Sequence, residues 1–450
     1  MQGNVTCGTA VGNSWTKDVL GRQAIIKGRI GWKGLKAQEY TDAGPYLVAG
    51  NHIVGNKVTW DQSQHLSRFR YDESPEIKLQ VNDVIISKDG TIGRAAHIDW
   101  LPGPATINST MMLVRVIHPE VLNSRFVFYL LQGGDFQRLV AERVSGSTVP
   151  HLFQADMRKL SISFPAPGEQ REIAHILTTL DDLIERTEAL IAKYQAVKQG
   201  LMHDLLTRGV DENGELRPSY EEAPELYRRS PLGWMPSSWK CQELGSVIIY
   251  GPQNGIYKPA SDYGTDGVRI VRIDGFYEGV LENPEQFRRV RLLERETNQY
   301  LLARDDILIN RVNSFDFVGK SAIVPELDEP TVFESNIMRL RVDTAIVLPV
   351  YAIRLLTHDK VLRQLRGRAK SAIAQVSINQ DDVRSCMIGI PSVTEQRRLA
   401  KIVDGFDARV LSEEVYLGKL ELLKRGLMQD LLTGRVRVKV DGHPQGDNDV

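Results

Sequence analysis

Two stretches of the 450-residue chain decide its architecture: PAPGEQREIAHILTTLDDLIERTEALIAKYQAVKQGLMHDLLT, from Pro165 to Thr207, and PSVTEQRRLAKIVDGFDARVLSEEVYLGKLELLKRGLMQDLLT, from Pro391 to Thr433. Glu169, Gln170 and Arg171 return as Glu395, Gln396 and Arg397, Asp181 as Asp407, and Lys198 as Lys424, all at one offset of 226 residues without a gap. The same offset reaches back, pairing Gly93 with Gly319, Ser109 with Ser335, Met112 with Met338, Arg115 with Arg341 and Asp156 with Asp382. Near the start of each half, Trp15, Leu20 and Gly21 echo Trp239, Leu244 and Gly245 at an offset of 224. A domain-sized period repeated once marks a tandem duplication rather than a solenoid.

Within each stretch a proline and the glutamates behind it suit the first turn of a helix. Apolar residues then fall at Ile173, Ile176, Leu180, Leu183, Leu190, Tyr194, Val197 and Leu201, with Thr187 in the one polar place. Spacing that alternates three and four is a coiled-coil seam. The second copy keeps Leu399, Ile402, Phe406, Tyr416, Leu420, Leu423 and Leu427 but puts Arg409 and Glu413 on the seam, so Val410 and Leu417 have to take over there. From Glu169 to Thr207 the helix would run about 58 Å at about 1.5 Å per residue. One apolar stripe needs a partner, either a second copy of the chain or the matching helix of the other repeat. A whole domain lies between the two helices and can return the chain to the far end, which favours antiparallel pairing within the chain.

The regions before the helices have another texture. DVIIS at Asp83 to Ser87 and DILIN at Asp306 to Asn310, bounded by Gly, Asn and Asp, read as strands, and helices are expected around Phe126 to Val140 and Tyr351 to Leu365. The expected fold class is α+β. Two mixed domains, 1–164 and 237–390, precede the helical segments 165–208 and 391–433. An acidic, proline-containing connector, 209–236, reads as a linker without a core of its own, and a tail follows at 434–450.

Hydrophobic residues at 42% and charged residues at 25% are ordinary for folded domains, and no apolar run approaches a membrane span. The N-terminus shows no secretion signal, and the three cysteines, Cys7, Cys241 and Cys386, suit neither a disulfide framework nor a zinc knuckle, so a cytoplasmic location is expected. The net charge of −1 hides an uneven distribution: Asp211 to Glu225 carries six acids and one arginine, whereas 361–370 carries Arg363, Arg366, Arg368 and Lys370 without an acid. A neutral total can conceal a basic surface suited to phosphates.

Catalytic motifs fail when tested. Gly319, Lys320 and Ser321 resemble the end of a phosphate-binding loop, but Ser314 stands where its first glycine belongs, and the matched first-repeat residues are Gly93, Arg94 and Ala95. Asn283 and Pro284 begin an adenine-methyltransferase signature that Glu285 breaks, and Glu76 and Lys78 lack the further acid of a nuclease. No histidine pair has metal-binding spacing. No catalytic residue, metal site or resident cofactor is expected.

Polar, glycine-bearing loops are the candidates for contact. The first matched pair is Ser87 to Arg94, with Lys88, Gly90, Thr91 and Arg94, and Asn310 to Lys320, with Arg311, Asn313, Ser314 and Lys320. The second is Ser145 to His151, with Ser147 and Thr148, and Lys370 to Val376, with Lys370 and Gln375. Such loops can meet phosphates through lysine and backbone N–H groups, and base edges through arginine, asparagine or glutamine.

With the paired endings P-x-x-x-EQ-R and GLM-x-DLLT, the strand-plus-glycine elements and Gly146, Ser147 and Thr148, the chain resembles the specificity subunits of type I restriction-modification systems over nearly its whole length. Ala372, Ile373 and Ala374 depart from that tripeptide in the second copy. The resemblance implies a pseudo-twofold protein whose two target recognition domains sit at opposite ends of an antiparallel helical pair, each reading half of a split, asymmetric double-stranded DNA target. It implies two modification subunits that use S-adenosylmethionine to methylate a flipped-out adenine, and two restriction subunits that use ATP and Mg2+, with none of these cofactors on this chain. It also makes Glu169, Gln170, Arg171, Glu395, Gln396 and Arg397 candidates for binding those partners. A specificity module of a type II system, or a coiled-coil adaptor without a nucleic-acid role, would share some of these features.

Overall fold

The computed structural model describes residues 15–29, 39–145, 151–371 and 375–439. The chain forms two compact units, one of 1–190 with 413–450 and the other of 191–412. Two long helices, Pro167–Thr207 and Val393–Leu431, contribute to both. The first begins on a proline, whose missing N–H has no intrahelical partner to lose at that position.

In the first unit, an antiparallel sheet runs in the order Ala24–Gly28, Met111–Val116, Val84–Ser87, Ala95–His97. The order in the second unit is Ile248–Asn254, Ile337–Val342, Ile307–Asn310, Ser321–Ile323, extended by Gly279–Leu281 and Phe276–Tyr277. The common four strands follow the sequence repeat; in the second unit the further pair joins the sheet, whereas in the first unit the hairpin Ile53–Val54 with Lys57–Val58 forms a separate two-stranded sheet. DVIIS and DILIN become the central, fully buried strands of their sheets. A short two-stranded pairing closes each unit behind its long helix: Thr16–Val19 with Ser161–Phe164, and Lys240–Glu243 with Met387–Ile390.

The single helices expected around Phe126 and Tyr351 are each broken in two. Ser124–Leu130 and Gly134–Ser145 part at Gln132 and Gly133, where glycine weakens helix propagation. Pro349–Thr357 and Asp359–Arg368 part at His358, whose extended backbone places its ring as an N-cap accepting from Lys360 N.

Each unit packs the start of one long helix against the end of the other. Ile173, Ala174 and Leu177 share a core with Leu431 and Leu432 in the first unit; Leu205 and Leu206 share one with Leu399 and Val403 in the second. Within each unit the helical segments therefore run antiparallel. Lys424 meets Asp181 at 2.5 Å in the first unit and Lys198 pairs with Asp407 in the second, the same two repeat positions exchanging roles. Burial follows the expected seam with local departures: Val197, Tyr416 and Leu423 are exposed and Leu420 is buried, while around the interruption Arg409 is exposed and Val410, Glu413 and Leu417 are all half-buried.

The segment that reads as a coreless linker is ordered and tied down. Val210 is buried, Tyr227–Ser230 and Gly233–Pro236 form a hairpin, and Tyr220 stacks on Trp234 with centroids 4.1 Å apart. Its acids lie largely outward, and its apolar minority does the packing.

Candidate nucleic-acid interface

In the first unit the buried strand Val84–Ser87 delivers the chain into the turn from Ser87 to Arg94. The Ser87 hydroxyl donates to the Thr91 carbonyl and accepts from Arg94 N at 3.0 Å, and Gly93 N donates to the Ser87 carbonyl at 2.9 Å. Gly93 has φ of 87°, which favours glycine, and a Cβ there would also crowd the Val140 methyl at 3.0 Å. This bracing leaves Gly90, Thr91 and Arg94 exposed. Lys88 points elsewhere: its side chain is 15% exposed and its ammonium lies 4.0 Å from the Asp89 carboxylate.

Asp89 also bonds the His151 ring, and Leu152 N donates to the Lys88 carbonyl at 3.0 Å, so the structure brings the chain just after residue 150 onto the turn. Ser147 and Thr148 lie outside the described residues.

The second unit builds the same arrangement more elaborately. Asn310 N donates to the Lys320 carbonyl at 2.8 Å and Gly319 N to the Asn310 carbonyl at 2.9 Å, closing the turn. Val312–Asn313 then pairs with Val376–Ser377, which pairs with Lys370–Ser371. Two loops separated in sequence thus form one surface, where Ser314, Lys370 and Gln375 are exposed and Arg311 and Asn313 are half-buried. The Arg311 guanidinium leans on the Ser335 carbonyl at 3.3 Å. Ala372, Ile373 and Ala374 lie outside the described residues.

Lys320 requires a correction as an outward-reaching cation. Its ammonium lies 3.9 Å from the Tyr277 ring centroid, with Phe276 and Phe317 at 5.1 and 5.6 Å, and burial lowers its pKa. The cation is held by aromatic faces inside the turn. The resemblance to a phosphate-binding loop also dissolves: Gly319 N is committed to Asn310, and the buried Ser321 hydroxyl donates to the Gly319 carbonyl at 2.9 Å.

The EQR triplets divide in the same way. Gln170 is fully buried; its Oε1 accepts from Asn123 N at 2.8 Å and its Nε2 donates to the Val121 and Pro165 carbonyls at 2.9 and 2.8 Å. Gln396 repeats this, accepting from Leu348 N at 2.8 Å and donating to the Ile346 and Pro391 carbonyls at 2.8 and 3.0 Å. Glu169 accepts from Arg437 Nε and Nη2 at 2.8 and 2.7 Å and from Val438 N at 3.2 Å. Glu395 holds Arg217 Nη1 at 2.5 Å, Trp239 Nε1 at 3.2 Å and Val210 N at 3.1 Å. The expectation that these four side chains form a partner surface is therefore corrected: all of them are used inside their own unit. Arg171 and Arg397 are the exposed members.

Two ion pairs that the sequence reading did not single out hold the strands behind the loops. Arg115 grips Asp83 at 2.7 Å through both Nε and Nη2, and Arg341 grips Asp306, whose carboxylate raises the arginine's pKa. Arg115 and Arg341 match at the repeat offset, and each acid opens its β-run, so the pairing was available as a signal. Among the described residues, no group of three or more His, Cys, Asp or Glu side chains could hold a metal ion. No described helix is long and apolar enough to cross a membrane.

Residues 30–195 match the family model of the type I restriction modification DNA specificity domain. The chain is 24% identical over 383 residues to the type I restriction enzyme MjaVIII specificity subunit of Methanocaldococcus jannaschii, covering 83% of each protein. It aligns with a chain from a structural study of complex assembly and conformational transition in a type I system, with a TM-score of 0.56, 16% identity and coverage of 95% of this chain and 100% of that one. The crystal structure of a type I system S subunit from M. genitalium aligns with a TM-score of 0.54 at 16% identity, covering 94% and 97% of the two chains.

Proposed function

From the premise that this chain belongs to the family of type I restriction-modification specificity subunits, we propose that each of its two units reads one half of an asymmetric, split double-stranded DNA target. The observation that carries this reading is the duplicated loop pair. In each unit a turn fixed to the end of a buried strand is joined by a second segment distant in sequence: Ser87–Arg94 by the chain after residue 150, and Asn310–Lys320 by Val376–Ser377, itself paired with Lys370–Ser371. A rigid strand supporting a polar, cation-bearing turn suits base-edge and phosphate contact, because the contacting groups arrive already ordered.

The chain performs no chemistry in this reading. Two modification subunits carry S-adenosylmethionine and methylate an adenine in each half-site, and two restriction subunits carry ATP and Mg2+. The exposed Arg171 and Arg397, at the starts of the two long helices, belong to the surface offered to the modification subunits. The helices set the unspecified gap between the half-sites.

Domain exchange tests the reading. Residues 239–390 are replaced by the corresponding segment of another specificity subunit, and methylated motifs are mapped in cells that also express the modification subunit. One half of the motif changes and the other stays. A change in both halves, or in neither, overturns the assignment of one half-site to each unit.

A further inference from the structure

Between Asn313 and Lys320 the second unit shows two phenylalanines to solvent, Phe315 at 56% and Phe317 at 46% exposure, beside Tyr277 at 42%. The turn that carries them is fixed. Phe317 N and Val318 N both donate to the Ser314 carbonyl at 3.0 Å, and Arg366 Nη2 donates to the Asp316 carbonyl at 2.6 Å. Tyr277 meets Phe317 edge-on with centroids 6.4 Å apart, and Lys320 lies against both rings. The Phe317 and Tyr277 edges are therefore displayed at set positions, and Phe315 projects from the same fixed turn.

Their surroundings select the occupant. Arg363 and Lys370 are exposed, Arg366 reaches the turn itself, and Asn313, Ser314 and Gln375 add amides and a hydroxyl. These exposed cations and amides suit the phosphates and base edges of a duplex, with Asp316 exposed between the two rings and Asp274 and Glu282 acting on Lys320 as the acids of the same surface. In the major groove the apolar group that base edges present is the C5-methyl of thymine. A wedge inserted between base pairs would have to stand free of its own protein so that bases could stack on it, whereas Phe317 is held by Tyr277 and Lys320.

We infer that Phe315 and Phe317 read a thymine in one half of the target by covering its 5-methyl group. This rests on the DNA-specificity reading above and adds to it a specificity-determining pair.

The test uses the full complex of this chain with its modification subunits, on duplexes carrying the target motif identified by methylation mapping. Each thymine of both halves is replaced singly by uracil, which pairs identically and lacks only the methyl. Losing one buried methyl weakens binding about fourfold, and this loss falls at one thymine, or two neighbouring ones, in a single half. In Phe315→Ala and Phe317→Ala complexes, thymine and uracil duplexes bind alike at that position. Specific binding with no uracil effect, or a uracil effect that persists in both variants, overturns the inference and leaves the DNA reading standing. Failure of the parent complex to bind its motif removes both. Variants that bind DNA normally but shed the modification subunits would show a protein contact instead, and also overturn it. Should Phe317→Ala fail to fold, the more exposed Phe315→Ala carries the test.

Discussion

His97 shows how the chain commits a titratable side chain to structure. Its side chain is 3% exposed, with Nδ1 3.1 Å from the Asp99 carboxylate and Nε2 3.0 Å from the Ser124 hydroxyl. Burial, reinforced by the Arg125 guanidinium, pushes its pKa down to about 3. The unfolded chain has an ordinary histidine, near 6.5, and so takes up the proton first. The contribution of the neutral ring is whole above about pH 6.5 and is lost progressively as pH falls toward 3, on the order of 2 kcal/mol by pH 5. His358, pushed down to about 4 by burial and the neighbouring His203, acts in the same direction in the other unit. Urea unfolding at pH 7 and pH 5 measures the loss, and His97→Gln shrinks the difference between the two. An unchanged difference would assign the acid sensitivity to other groups. At this scale the sequence is a poor guide to orientation. Lys88, Arg94 and Lys320 are equally plausible cations on paper, yet only Arg94 is exposed, because Asp89 and an aromatic cluster claim the other two.

At the scale of elements, the long helices and the paired central strands were legible because their burial leaves a period in the text: three and four for the seam, an apolar run for DVIIS and DILIN. The helix starts were legible as motifs but not as roles. A glutamate and a glutamine reading EQ look like surface residues, and nothing local reveals that Gln170 and Gln396 close onto backbone groups 47 to 50 positions away. The apparent linker hid its role for the same reason, since Arg217 finds Glu395 only after folding. Gln170→Ala and Gln396→Ala should each cost about 3 kcal/mol, because the fully buried amide serves three backbone groups at once, and removing it leaves the buried Pro165 or Pro391 carbonyl without that donor and the half-buried N–H of Asn123 or Leu348 without its acceptor. Arg171→Ala, on an exposed position, should stay within about 0.5 kcal/mol of the parent. Denaturant midpoints of the three variants check this. A Gln170→Ala variant as stable as Arg171→Ala would return the EQR triplet to the role of a surface patch.

At the scale of the whole molecule, each unit owns the first part of one long helix and the last part of the other, so neither helix can change length without consequence for both. The pairs Lys424–Asp181 and Lys198–Asp407 fix the antiparallel register separately within each unit. Four residues inserted after Glu188 add close to one turn and about 6 Å while roughly preserving the seam. In one helix alone the insertion sets the two register pairs at odds. Matched insertions after Glu188 and Glu414, which are equivalent in the repeat, lengthen both helices and let both pairs persist. If the helices set the gap, cells expressing the doubly extended protein with its modification subunit show methylation of a target whose half-sites are unchanged and whose unspecified gap has grown by one or two base pairs, since base pairs stack about 3.4 Å apart. The single insertion is less active, and a two-residue insertion, which turns the following residues by about 200°, is less active still because its seam faces away from its partner. Methylation mapping in cells expressing each variant with its modification subunit reads all three outcomes. An active double variant with the parental gap would show that something other than these helices measures the distance between the half-sites.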